Sequence, residues 1–90
     1  EHDAYAMKPI RLSAHARSYA TKRGFTEDEV VRAIRSAAWQ PAELGKLECR
    51  LDLPFNAVWN GKFYATKQVR PIFVDEPEEI VVITVYTYYF

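Results

Sequence analysis

The sequence predicts an α+β domain, with two N-terminal helices packed on a small curved antiparallel sheet of three to four strands. Three observations carry this. Thr26-Glu27-Asp28-Glu29 is a capping box that opens a stretch of apolar residues at helical spacing. Leu47, Cys49, Leu51 and Leu53 alternate with Glu48, Arg50 and Asp52, the period of a half-buried strand. Ile80 to Tyr88 is β-branched and aromatic almost throughout. Helices come first and strands follow with short links, so neighbouring strands run antiparallel and the helices gather on one face.

Element by element, Ile10 to Leu12 reads as a short extended start. Ser13 is placed to cap a helix over Ala14 to Lys22, and Gly24 suits the left-handed position that closes one. Thr26 caps a second helix running from Glu27 to about Ala38, with Val30, Ile34 and Ala37 on one stripe. Asp28, Arg32 and Arg35 face elsewhere, as on a solvated helix face. Pro41 ends that helix, and Pro54 ends the strand begun at Leu47. Asn60-Gly61 is a turn signal. Phe63 to Val74 is extended, Asp75-Glu76-Pro77-Glu78 is a charged turn, and Ile80 to Tyr88 is the last strand.

Ninety residues, 49% of them hydrophobic and 14% aromatic, suffice for one globular core. The longest uncharged stretch, Ile80 to Phe90, falls well short of the ~20 residues of a membrane-spanning helix. Cys49 is the only cysteine, so no disulfide forms within the chain, which suits a reducing cytoplasm. Two histidines and one cysteine cannot assemble a structural zinc site, and no metal or cofactor is implied. Met7 is the only methionine, so residues 1–6 read as a non-native leader and 7–90 as a single domain. Without Glu1 and Asp3 the formal net charge of zero becomes about +2. Basic residues concentrate early (Lys8, Arg11, Arg17, Lys22, Arg23, Arg32, Arg35), and acidic ones recur at Asp75, Glu76, Glu78 and Glu79. One positive end would accept an anionic partner.

A final hairpin folded symmetrically about Pro77 pairs Val74 with Ile80, Ile72 with Val82, Arg70 with Thr84 and Gln68 with Tyr86. All eight then share one side of the sheet. That side is polar away from the turn, where Arg70, Gln68, Thr84 and Tyr86 converge. Val69, Pro71, Phe73, Val81, Ile83 and Val85 take the core side. The arginine fork grips phosphate oxygens at two points. His15, the only histidine after Met7, can exchange protons near neutral pH and serve as a general base. Plain structural roles compete with both: Arg70 as a cross-strand partner at the rim, His15 as a packing residue. Tyr64, Tyr86, Tyr88 and Tyr89 read mostly as core or rim residues with a wet hydroxyl. Cys49 reads as an apolar filler, and the isolated glycines form no phosphate loop.

His15-Ala16-Arg17, Lys22-Arg23-Gly24-Phe25-Thr26, Glu29-Val30 and the closing Val82-Ile83-Thr84-Val85-Tyr86 resemble, in order and spacing, a prokaryotic domain family of unknown function. That family is related to RelE- and BrnT-type toxins within the ribonuclease-like fold shared by barnase, EndoU, colicin nucleases and RelE. The resemblance spans Ile10 to Phe90. It implies two N-terminal helices on a curved antiparallel sheet, a cytoplasmic location and, often, the toxin of a toxin–antitoxin pair. It places the helix histidine at His15, a basic strand residue at Lys67 or Arg70, and a hydroxyl of the last strand at Thr84 or Tyr86.

The expectation that follows is a metal-independent endoribonuclease acting through the ribose 2′-hydroxyl. His15 would be the base, Arg70 the phosphate ligand, and Tyr86 with Thr84 the groups that orient phosphate or protonate the leaving oxygen. Arg17, Arg23 and Lys67 would bind RNA phosphates, with a ribosome-associated RNA among the substrates. Glu48 is the alternative base. Two other functions fit the same residues: RNA binding without cleavage, and a protein-interaction module. In the latter, the uncharged strand Ile80 to Phe90 is central or is covered by an antitoxin or a second copy of the chain.

Overall fold

The computed structural model describes residues 8–90. The expected leader at 1–6 lies outside them. In chain order the elements are β1 (Ile10–Leu12), α1 (Ala14–Ser18), α2 (Ala20–Arg23), α3 (Glu27–Ser36), β2 (Gln40–Pro41), a 3₁₀ turn (Glu43–Gly45), β3 (Leu47–Glu48), β4 (Leu51–Trp59), β5 (Lys62–Asp75) and β6 (Ile80–Tyr89). The strands form one six-stranded sheet ordered β1-β6-β5-β3-β2, with β4 also on β5. β1 runs parallel to β6, placing Ile10, Arg11 and Leu12 opposite Ile80, Val81 and Val82. The other pairs are antiparallel. No helix among the described residues is long and apolar enough to cross a membrane.

The domain is α+β, but its architecture differs from the expected two helices on a three- to four-stranded antiparallel sheet. Among the described residues the sheet has six strands, is mixed, and is accompanied by three short helices. The first expected helix is divided at Tyr19, whose N–H bonds back to the Ala16 carbonyl at 3.2 Å and tightens the turn. The expected strand from Leu47 to Leu53 is interrupted at Cys49 and Arg50, leaving β3 and β4 as separate partners of β5. Pro54 does not end β4. That strand lies at an edge, where a missing N–H costs no ladder bond. β1 was not legible as a sheet strand because its partner lies some seventy residues away.

α3 forms as the capping box predicts. Thr26 Oγ1 accepts from the Glu29 N–H at 3.2 Å, and Glu29 Oε1 accepts from the Thr26 N–H at 3.0 Å. The helix ends at Ser36, short of Ala38, and Trp39 Nε1 donates to the Ile34 carbonyl at 2.8 Å, satisfying one of the open terminal acceptors. Its buried stripe of Val30, Ala33 and Ile34 packs with Leu53, Val69, Phe73, Val82 and Val85 of the sheet into one core. At the far end of this covered face Tyr89 stacks on Trp59 at 4.9 Å and meets Phe55 edge-on at 5.2 Å. Gly24 closes α2 with φ +79°, and a Cβ there would press on the Tyr89 hydroxyl and lie 2.7 Å from the Trp59 ring.

The outer edge of β6 is occupied within the chain. Beyond β1, the Ser13 N–H donates to Val82 O at 2.9 Å, Ser13 Oγ to Ile83 O at 3.2 Å and Arg23 Nη1 to Val85 O at 2.8 Å. Thr87 Oγ1 and the Tyr89 hydroxyl return bonds to the Arg23 carbonyl at 2.6 and 2.9 Å. β4 guards its own edge with Asp52, Pro54 and an irregularity at Asn56, where φ is +48°.

The final hairpin is not symmetric about Pro77. Asp75 faces Ile80, Val74 faces Val81 and Phe73 faces Val82; then Ile83 bulges out, and Ile72 pairs with Thr84, Arg70 with Tyr86 and Gln68 with Tyr88. The turn slips the register by one residue and the bulge slips it by another. A slip of one reverses faces and a slip of two restores them. Val82 therefore joins the core beside Phe73, contrary to expectation, and Ile83 leaves it. Arg70, Gln68, Thr84 and Tyr86 stay on one face, with different cross-strand partners.

Candidate functional site

The polar side chains converge on the sheet face turned away from α3. Arg70 comes from the middle of β5, Thr84, Tyr86 and Tyr88 from β6, and Glu48 from β3. Arg70 Nε pairs with Glu48 Oε1, and Arg70 Nη1 donates to the Tyr88 hydroxyl at 3.2 Å. The guanidinium also stands 5.6 Å from the centre of the Tyr86 ring. Arg23 reaches the same ring at 5.0 Å and the Tyr19 ring at 4.0 Å, and donates to Thr84 Oγ1 at 3.3 Å. Donation of a hydrogen bond to Glu48, and of a lesser one to the Tyr88 hydroxyl, raises the Arg70 pKa further above its already high value, so the group is a fixed cation.

Glu48, Arg70, Thr84 and Tyr86, with Ile72 and Ile83, floor an open cleft of about 600 Å³, and residues between Pro41 and Lys46 form its other wall. The 3₁₀ turn in that wall holds Leu44 at φ +58° with 88% of its surface exposed. A bulky residue in the left-handed region is strained. The cleft thus combines two carboxylates, Glu43 and Glu48, the Arg70 guanidinium with the Lys46 ammonium, and the hydroxyls of Thr84 and Tyr86, while Tyr88 is bonded to Arg70 beside it. That set can bind an anionic oxygen, accept a proton and donate one. Among the described residues, no group of three or more His, Cys, Asp or Glu side chains is placed to hold a metal ion.

Of the residues singled out in the sequence, Arg70, Thr84, Tyr86 and Glu48 come together here. His15 does not line the cleft. It is exposed on α1 and meets Tyr19 edge-on at 5.0 Å; the Tyr19 ring meets Arg23, which in turn meets Tyr86 of the cleft. Arg17 is exposed and pairs with Glu27 at 3.3 Å. Arg23 is spent on the β6 edge and the two tyrosine rings. Lys67 lies on the opposite, covered face, 8% exposed, bound to Glu29 Oε2 at 2.8 Å and the Gly24 carbonyl at 2.9 Å. It therefore does not join Arg70. The Cys49 thiol is buried, and burial, helped by Glu48, pushes its pKa up to about 11, in keeping with a filler.

Two parts of the site escaped the sequence reading. Tyr88 reads as a core or rim residue in the sequence, although its alternation with Tyr86 places both on one face. The wall from Pro41 to Lys46 carried only Pro41 and Gly45 as signals of a turn. Compared with models of known families, with curated proteins and with solved structures, the chain finds no match.

Proposed function

We propose that the Glu48–Arg70–Tyr88 cleft is a phosphodiester site and that the protein is a metal-independent endoribonuclease of the cytoplasm, the toxin of a toxin–antitoxin pair. The observation that carries this is the meeting of a carboxylate and a fixed guanidinium in one open cleft, with the Tyr88 phenol bonded to that guanidinium beside it. The sequence resemblance built on His15-Ala16-Arg17 and the closing strand adds support for RNA as substrate. Glu48, not His15, takes the role of base, because it is the proton acceptor within reach of the cation.

In the reaction Glu48 removes the proton of a ribose 2′-hydroxyl, and that oxygen attacks the adjacent phosphorus. The bond from phosphorus to the 5′-oxygen breaks. The departing oxygen takes a proton from the Tyr88 hydroxyl; solvent then returns a proton to Tyr88 and accepts the one held by Glu48, restoring both groups. Arg70 offsets the charge gathering on the phosphate oxygens. The products are a 2′,3′-cyclic phosphate and a 5′-hydroxyl.

The test is digestion of an end-labelled oligoribonucleotide in the presence of a chelator, with product ends analysed. Glu48→Gln and Arg70→Ala are each expected to slow cleavage by about 100-fold or more, and His15→Ala to leave it near wild type. Binding without products by a folded wild-type protein would favour RNA binding alone, a reading the direct Glu48–Arg70 pairing also suits. Cleavage that survives both cleft substitutions would remove the assignment.

A further inference from the structure

The face that holds the cleft continues away from it as two parallel rails. Tyr86 and Tyr88 of β6 and Phe90, the residue just after it, alternate without a register break, so they share one side at a step of about 6.8 Å. Directly across on β5 stand Arg70, Gln68 and Thr66; Phe90 and Thr66 exchange both backbone hydrogen bonds, at 2.8 and 3.0 Å. Every ring thus has a hydrogen-bonding or charged side chain as its neighbour. Phe63 extends the aromatic rail past the irregularity in the β4–β5 ladder, where simple alternation from Thr66 is broken. It pairs with Val58, while its neighbours lie with Trp59 and Tyr89 on the covered side, Lys62 by pairing with Trp59 and Tyr64 by its ring contact. Tyr88, Phe63 and Phe90 are 40%, 58% and 57% exposed.

Large rings left in water on a sheet face need an occupant. A flat apolar protein surface would take the Arg70–Glu48 pair, and Asp52 where it accepts from Gln68, out of water, which is costly even for paired charges. Strand addition is hindered as well, since the β6 edge is filled from within and the β4 edge carries Asp52, Pro54 and the irregularity at Asn56. An unpaired polynucleotide satisfies both rails, with base faces on the rings and base edges and phosphates toward the polar side chains. The cations beside the cleft and rails (Arg23, Lys46, Arg50, Arg70) outnumber the acids (Glu43, Glu48, Asp52), so the surface also has the complementary sign. The Tyr86 ring is already engaged by Arg23 and Arg70, which leaves Tyr88, Phe90 and Phe63 to stack.

We infer that Tyr88, Phe90 and Phe63 form a base-stacking subsite for unpaired nucleotides flanking the phosphate held at Arg70. This rests on the phosphodiester reading of the cleft but asks a separate question, whether bases are gripped as well as phosphates. The probes are a short oligo(A) RNA, a duplex of equal length, and an abasic oligomer of the same length and charge, bound at two salt concentrations in the cold with the full chain. Stacking contributes a sequence-tolerant gain per base. Oligo(A) should therefore bind roughly 10-fold or more tighter than the abasic strand or the duplex, and Phe90→Ala with Phe63→Ala should erase that difference while affinity for the abasic strand stays. Phe90→Leu, which keeps the apolar bulk without the ring, guards against a folding defect and should also lose the preference. Equal binding of oligo(A) and the abasic strand, both weakened by Arg70→Ala, would overturn the subsite and leave the cleft. No binding of either strand would remove the cleft reading and the subsite together. Self-association abolished by Phe90→Ala, with no base preference, would give the rail to a second copy and also overturn the inference.

Discussion

Lys67 and Arg70 stand close together on β5, and each is paired with a glutamate, yet they face opposite sides of the sheet. Lys67 points under α3 into the covered side. Its pair with Glu29 is joined to the Gly24 carbonyl, and Glu29 also closes the α3 cap. Arg70 points into the open cleft, where its pair with Glu48 is flanked by tyrosines and space. Two similar charges on one strand thus do different work. Enclosure makes the first a fastening of the fold, and access makes the second available to a ligand. A basic residue on a central strand says little about function until its face is known.

The contrast is broken most directly by substituting each cation. Lys67→Ala should cost about 3 kcal/mol, since it strands Glu29 and leaves the Gly24 carbonyl without its donor, while Arg70→Ala should cost about 1–2 kcal/mol, because the arginine side chain is 24% exposed against 9% for the lysine. Urea denaturation compares the two. Equal costs would show that the faces do not differ in the way described. Next in size is Gly24→Ala, which meets both a left-handed backbone and the Trp59–Tyr89 stack. It should cost about 2–3 kcal/mol and, in a tryptophan fluorescence melt, lower the midpoint while leaving the Arg70 cleft assembled in the folded fraction.

The smallest effect is read from pH. The Cys49 thiol sits at about 11 in the folded protein, raised by burial above the ordinary thiol value it has when unfolded. As pH rises the unfolded chain ionises first, so this thiol's contribution to stability is whole below about pH 8.5 and is lost progressively toward 11. Urea midpoints between pH 8 and 10.5 should therefore fall more steeply for wild type than for Cys49→Ala. Parallel slopes would mean that the covered face does not hold the thiol neutral.

Local chemistry was readable in the sequence and long-range geometry was not. Ser13, Gly24 and the Thr26–Glu29 box each do what their side chains dictate over a few residues, and all three are found in place. Arg70, Thr84 and Tyr86 share one face although their pairing lies two residues from the expected one, because two slips preserve the face. The parallel partner of β1, the bulge at Ile83 and the division at Tyr19 depend on contacts between distant segments, which no short pattern encodes. Lys67 shows the cost of arguing from residue type alone. Its position two residues before the core residue Val69 already put it on the covered side.

The parallel union of β1 with β6 bears on the order in which the molecule comes into being. Ile10 to Leu12 are made early and must wait for Ile80 to Val82, and Ser13 and Arg23 find their acceptors only on that same late strand. Contacts so distant along the chain close slowly. During synthesis the early helices therefore have no sheet edge to rest on, and Thr84, Tyr86 and Tyr88 reach Arg70 only when β6 docks. Assembly of the cleft and completion of the fold are then a single event, and a chain released before β6 is made carries Arg70 and Glu48 without the strand that joins them into a site.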